Sequence, residues 1–129
     1  MASMVKPFIE TFECNAVVAK GQAVKLVAAT GGKRVTPVTA TTDLSIGVAQ
    51  NATLSVGDLV EVALPGGGAK GLAKAAIVAG NILGHNADGS IQKLANANDK
   101  IIGQALDDAA AGDLFSMQVV CAQGVATQA

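Results

Sequence analysis

The sequence contains neither tryptophan nor tyrosine, and only three of its 129 residues are phenylalanine. Without these rings the chain has almost no platform on which nucleic-acid bases could stack. Its nine basic and ten acidic residues are scattered without a run of one sign, so a positive patch for a phosphate backbone is also missing. We therefore expect no nucleic-acid partner.

Long apolar runs are missing as well. No stretch reaches the ~18 uninterrupted apolar residues of a membrane span. The N-terminal sequence MASMVKPFIETFE carries two glutamates where a secretion signal needs an apolar core. We expect a protein that is made in the cytosol and has no membrane partner.

Residues for catalysis or metal binding are few. His85 is the only histidine, and its place near an Asp-Gly turn predicts a solvated side chain. Cys14 and Cys121 fit no zinc or thiol-exchange spacing and are predicted to be buried apolar residues. The pair Asp107-Asp108 is predicted to cap a short helical turn over residues 106–111. We expect no enzyme activity, no bound metal and no cofactor.

The apolar half of the composition consists largely of small side chains, with 25 alanines and 15 valines. Burying one Val or Leu contributes only ~1.5 to 3 kcal/mol, so a lone chain of this size would have a thin core. This composition favours packing against further copies or a larger partner.

The chain repeats itself once. Four short elements occur twice in the same order, at offsets of 59, 57, 56 and 55 residues. They are a glycine followed by an amide and an apolar pair, then a turn, then Ile-Gly-x-Ala, and finally a Gly-Asp-Leu element. We divide the sequence into an N-terminal arm (1–14), a first β unit (15–66), a Gly-rich linker (67–74), a second β unit (75–124) and a C-terminal tail (125–129).

Each unit has the pattern of short strands separated by turns. Phe115, Met117, Val119 and Cys121 alternate with Ser116 and Gln118, which is the period-two pattern of a half-buried strand. Asp88-Gly89 and Gly31-Gly32 are tight-turn signals. The sequence therefore predicts an all-β protein, a small barrel or sandwich built from two tandem related β units with an N-terminal arm.

The stretch PGGGAKG, residues 65–71, follows a strand-like segment and contains the G-x-G-x-x-G spacing of dinucleotide-binding loops. A dinucleotide fold needs a long helix after such a loop, and here only eight residues separate Gly71 from Gly80, which interrupts the pattern. The repeat places the stretch between the two copies. We predict a flexible linker rather than a phosphate site.

A carrier domain is an alternative interpretation. Asn98-Asp99-Lys100-Ile101 is similar to the Asp-Lys turn that presents a lipoylated or biotinylated lysine. Such a lysine must sit at an exposed hairpin tip between matched halves, and the corresponding first-copy segment, Thr42-Asp43-Leu44, has no lysine. A structural subunit of some other surface assembly is a third possibility.

The repeated elements resemble the capsid decoration, or cement, proteins of tailed bacteriophages. The residues that carry this likeness are Gly21, Ile46-Gly47-Val48-Ala49 and Gly57-Asp58 in the first copy, and Gly80, Ile102-Gly103-Gln104-Ala105 and Gly112-Asp113 in the second. The resemblance implies a non-enzymatic subunit that binds the outside of a phage head and bridges major capsid proteins. It also implies a homo-oligomer, with a trimer favoured over a dimer, and a location on the virion after assembly in the host cytoplasm.

The N-terminal arm lies outside the matched blocks yet holds two of the three phenylalanines. Such an arm is either the strand that seals its own barrel or a tether that docks on a partner. For the second case we predict Phe8, Ile9 and Phe12 as partner-binding residues.

Overall fold

The computed structural model describes residues 9–27, 34–95 and 99–122, and within these ranges every regular element is a β-strand. The ten strands are β1 (Ile9–Cys14), β2 (Ala23–Val27), β3 (Arg34–Pro37), β4 (Gly47–Ala49), β5 (Leu59–Ala63), β6 (Gly68–Leu72), β7 (Ile82–His85), β8 (Ile91–Lys93), β9 (Ile101–Ala105) and β10 (Leu114–Ala122). The short helical turn predicted over residues 106–111 is wrong, since that segment consists of bends, an isolated bridge and a turn.

The first unit, β1 to β5, is a closed barrel with the strand order β1-β3-β2-β4-β5. β1 closes it by pairing antiparallel with β5 and parallel with β3. The alternation along β1 explains this place, because Phe12 and Cys14 point into the barrel while Glu13 faces outward and pairs with Arg34 at 3.2 Å.

The second unit, β6 to β10, is a five-stranded sheet with the order β6-β10-β9-β7-β8. A parallel bridge between Ala73 and Ile91 brings its two edges together. The inward face of β10 holds Phe115, Met117 and Val119, as the period-two pattern predicted. The prediction of an all-β protein, a small barrel or sandwich built from two tandem related β units, is confirmed.

The two units share strand register as well as sequence. Glu13 faces Leu59 in the first unit, and the matching residues Leu72 and Leu114 face each other in the second. Likewise Ala23 pairs with Val48, and Ile82 pairs with Gln104. Backbone hydrogen bonds follow suit: Gly57 N donates to Cys14 O, and Gly112 N donates to Ala73 O.

The unit boundaries in the structure differ from those drawn on the sequence. β1 begins the first unit, so residues 9–14 of the arm seal the barrel. β6, which occupies Gly68–Leu72 of the predicted linker, is the matching first strand of the second unit and pairs with β10 along its length. β6 is not predicted from the sequence, because glycine is rare in strands and two glycines leave no alternation of apolar and polar side chains to detect.

Gly71 is a core position of the second unit. It matches Phe12, and a Cβ added there would lie 2.8 Å from the sulfur of Met117 and 3.2 Å from the ring of Phe115. Phe115 in turn matches Val60 of the first unit. Each unit therefore holds one phenylalanine in its interior, carried by β1 in the first and by β10 in the second, and glycine at 71 leaves the space that Phe115 fills.

The packing divides into two clusters. One is the interior of the first barrel, formed by Phe12, Cys14, Val18, Val24, Val35, Ala49, Val60 and Val62. The other is the interior of the second unit, and it continues across the junction into a patch that we name the first-unit outer face, formed by Ala23, Val38, Val48 and Ala63. Small side chains on this face allow the units to approach closely.

The loop before β4 carries some of the polar contacts of the junction. Oδ2 of Asp43 accepts hydrogen bonds from Thr39 N at 2.9 Å and from Lys25 Nζ at 2.8 Å. Two carbonyls of the loop then reach the second unit, because Asp43 O accepts from Nε2 of His85 at 2.8 Å and Thr41 O accepts from Lys100 N at 3.2 Å. His85 is fully buried, so the prediction of a solvated turn residue is wrong.

A core exchange tests the role of Gly71. We expect Gly71→Phe to destabilise the protein by over-packing and Phe115→Val to destabilise it by roughly 2 to 4 kcal/mol through a cavity. The double variant restores one ring per interior, so its loss of unfolding free energy in urea should be at least ~1 kcal/mol smaller than the sum of the single losses. Additive losses would contradict this packing argument.

The junction loop predicts an acid dependence of stability. The hydrogen bonds from Lys25 and from the Thr39 amide lower the pKa of Asp43 from 3.8 to about 2. Because the folded state favours the charged carboxylate, its contribution is present above pH 4 and is lost as the pH falls towards 2. The difference in unfolding free energy between the wild type and Asp43→Asn should therefore shrink over this range. Lys25→Met, which removes the main cause of the shift, should also weaken the dependence; a constant difference would contradict the argument.

Candidate interaction surface

Four apolar side chains are exposed at one end of the first barrel, and we name them the apolar tip: Val17, Leu54, Val56 and Leu59. Leu54 is 89% exposed, more than any other large apolar residue of the described chain. Two backbone hydrogen bonds hold the segments together, from Thr53 N to Val18 O and from Gly57 N to Cys14 O. Grouped exposed apolar residues of this kind are typical of protein interfaces.

The loop that presents the apolar tip is held in one shape. Oδ2 of Asp58 accepts hydrogen bonds from the amides of Leu54 and Ser55, both at 3.0 Å. The hydroxyl of Thr53, which is buried, accepts from Val18 N at 2.9 Å. Gly57 has a φ of 95°, which closes the turn at a position where a side chain would be strained. An ordered loop loses less conformational entropy when a partner covers it.

Three of the four residues of the apolar tip have no apolar counterpart of similar size in the second unit. The matching loop has three residues between Ala109 and Asp113 instead of the four between Thr53 and Asp58, and Leu54 is the residue without an equivalent. Alanines stand at the positions that match Val17 and Val56. Leu59 alone is matched by a leucine, Leu114. Since the backbone is shared and the other three apolar groups are not, the fold does not require those three. The sequence repeat already indicated that Leu54 has no equivalent, because the offset between matched residues changes from 56 to 55 at this position.

The structure separates the predicted contact residues from one another. Phe8 lies outside the described residues. Ile9 is 41% exposed and pairs with Ala63, at the end of the barrel opposite the apolar tip. Phe12 is only 7% exposed and packs in the first barrel, so its ring is not available to a partner. Of the two roles considered for the arm, residues 9–14 therefore have the first: they form the strand that closes the chain's own barrel.

The Gly-rich stretch borders an open depression of about 330 Å³ at the junction, lined by Gln50, Gly68, Ala69, Lys70, Leu106, Ser116 and Met117. Its backbone groups are already engaged. The amide of Lys70 donates to Oε1 of Gln50 at 3.1 Å, and Lys70 Nζ donates to Ser116 Oγ at 2.9 Å. A phosphate loop needs several free amides that converge on one point, and a paired strand does not supply them.

The other candidate residues have structural partners. Asp107 and Asp108 do not cap a helix: they accept hydrogen bonds from Ser116 N at 3.0 Å and from Ala79 N at 2.8 Å. Lys100 lies between β8 and β9, which are not neighbours in the sheet, so it is not at a hairpin tip as a carrier lysine would be. Residues 9–27, 34–95 and 99–122 contain no group of three or more His, Cys, Asp or Glu placed to hold a metal ion.

Both cysteines are free thiols. Cys14 is fully buried in the first barrel, as the sequence predicted. Burial raises the pKa of Cys121 to about 11, and Ser45 Oγ lies 3.6 Å from its sulfur across the junction. The described ranges contain no helix with the length and apolar character to cross a membrane.

The fold and the surface together define a β protein of two related units with an exposed apolar loop that hydrogen bonds to Asp58 hold in place. No protein-family model matches the sequence, and neither does any curated protein. Among solved structures, the chain is similar to the N base of the head fiber gp8.5 of bacteriophage phi29, with a TM-score of 0.71 and 18% identity. The alignment covers 90% of this chain and 96% of that one, so the likeness extends over both units and shows a shared fold.

Removing the carboxylate of Asp58 tests whether it orders the apolar tip. In Asp58→Ala we expect amide hydrogen exchange of Leu54 and Ser55 to accelerate roughly fivefold, because two hydrogen bonds worth about 1 kcal/mol in total are lost. Asp113→Ala is the matched control in the second unit, where the carboxylate accepts only one long bond, from Ala110 N at 3.4 Å. Equal effects on the two loops would contradict a special role for Asp58.

Proposed function

We propose that this chain is a structural protein of a phage head, a decoration or cement subunit that binds the outer surface and bridges major capsid proteins. The observation that supports it most is the fold likeness to the N base of a phage head fiber over 90% of the chain. The sequence resemblance to capsid decoration proteins points to the same location independently. The proposal places the protein on the virion after assembly in the host cytoplasm.

The apolar tip is the surface that we assign to the capsid. Its side chains are exposed, its loop is ordered before binding, and the related second unit lacks both Leu54 and the two valines. Covering one leucine or valine contributes about 1.5 to 3 kcal/mol, so the four groups together contribute about 6 to 12 kcal/mol to binding before the entropic cost of association is subtracted. Neither a cofactor nor catalysis is part of this role.

A fiber base is the second candidate function, because the neighbouring structure is described as the base of a fiber. In that role the chain would anchor a further element on the head instead of bridging capsid subunits. Both functions require attachment to a head, and they differ in whether bound protein stiffens the shell. A carrier role for Lys100 is less favoured, since its backbone amide bonds to the first unit.

Binding to undecorated heads tests the proposal. We expect the triple variant Leu54→Ser, Val56→Ser and Leu59→Ser to bind at least tenfold more weakly than the wild type in a co-sedimentation titration, because the apolar contact is removed. Leu114→Ser, at the second-unit position that matches Leu59, is the control and should bind as the wild type does. Deleting residues 1–8 tests the arm in the same assay and separates Phe8 from the apolar tip.

Two outcomes of this titration would contradict parts of the proposal. Failure of the wild-type protein to sediment with heads at tens of micromolar would contradict the function, and undiminished binding of the triple variant would remove the apolar tip from it. Heat or osmotic shock of decorated heads then distinguishes the two roles: a cement protein raises the temperature at which DNA is released, whereas a fiber base leaves it unchanged.

A further inference from the structure

The junction between the two units includes two different surfaces, one from each unit. The first unit contributes its outer face. The second contributes a surface that we name the second-unit docking end, formed by His85, Lys100, Ile102 and Val119. Two of these residues bond to first-unit carbonyls, and the other two share a core cluster with the first-unit outer face.

The first unit carries its own copy of the docking end, and nothing in the described chain covers it. Strand register matches Leu26 to His85, since Leu26 pairs with Val35 and His85 with the equivalent Ile91. The whole surface, the first-unit docking end, consists of Leu26, Leu44, Ile46 and Leu64. Leu26 is 57% and Leu44 49% exposed, and Ile46 and Leu64 are partly buried, whereas Ile102 and Val119 are 0% and 1% exposed.

The second unit carries an unused copy of the outer face. The residues that match Ala23, Val38, Val48 and Ala63 are Ile82, Leu94, Gln104 and Gln118, which we name the second-unit outer face. Ile82 is 44% exposed where Ala23 is fully buried, and Gln104 is exposed where Val48 is fully buried. Within residues 9–27, 34–95 and 99–122, each chain thus exposes part of one surface of each type, Leu26 and Leu44 on the first unit and Ile82 and Gln104 on the second.

From this we infer that a second copy of the chain docks its first-unit docking end on the second-unit outer face, repeating between chains the contact that joins the units within one chain. The repeat argues for this occupant, because matched register gives these two surfaces the same backbone arrangement as the two surfaces that meet inside the molecule. Exposed Leu26, Leu44 and Ile82 supply the apolar groups of the contact.

Such an interface is head to tail, since it joins different patches on the two copies. It closes into a ring when the rotation between copies allows closure and otherwise continues as a chain. The inference concerns self-association and does not depend on binding to a phage head.

A mixing experiment tests the inference, with Ile82→Arg in one chain and Leu26→Arg in another. By light scattering on a size-exclusion column, we expect the wild type to have at least twice the 12.7 kDa of one chain, and each variant to be monomeric with a dissociation constant raised at least 100-fold. Mixed one to one, the variants should form a heterodimer and nothing larger, because the mixture retains one intact docking end and one intact outer face per pair.

Other outcomes would overturn the inference. They are a wild type that stays monomeric at hundreds of micromolar, a single variant of wild-type mass, and a mixture that stays monomeric, which indicates an interface between identical patches. Leu54→Arg, at the apolar tip, is the matched control and should keep the wild-type mass. If circular dichroism shows either variant unfolded, Gln104→Arg and Leu44→Arg replace them on the same two surfaces with the same expectations.

Discussion

The structure depends on the seating of the first unit against the open interior of the second. Each unit has a small interior, because the chain is rich in Ala and Val and holds few large side chains. Ala23, Val48 and Ala63 are small and lie on the outside of a barrel that is already filled inside. The second unit completes its core with these residues of the first, so the two units share one packed cluster.

Much of this architecture was visible in the sequence. Alternation in Phe115 to Cys121, the repeated Gly-Asp elements and the absence of helical periodicity predicted the strands and the two related units. β6 was missed because a strand that contains two glycines has no period-two signal. β1 was assigned to an arm because the matched blocks of the repeat are built on glycines. β1 and β6 differ at their inward position, Phe12 against Gly71, and only the next pair, Cys14 and Ala73, is similar in size.

The candidate surface was harder to foresee. Exposed leucine and valine look like core residues in a sequence, and only the structure shows that Leu54 lies outside while Phe12 lies inside. His85 was misjudged for a related reason, since its acceptor is a backbone carbonyl 42 positions away that no motif encodes. In both cases the burial of the side chain depends on contacts between residues far apart in the sequence, and local sequence patterns carry no information about such contacts.

The exchange of Phe12 and Val60 for Gly71 and Phe115 constrains how the two halves could be recombined. A chimera that transplants β1 into the second unit would bring two rings into one interior, and the reciprocal graft would leave the first barrel hollow. A chimera would therefore have to exchange the first and last strands of a unit together. The large and small residues at positions 12 and 60 are reversed at positions 71 and 115, so a strand of one unit does not fit in place of its counterpart in the other.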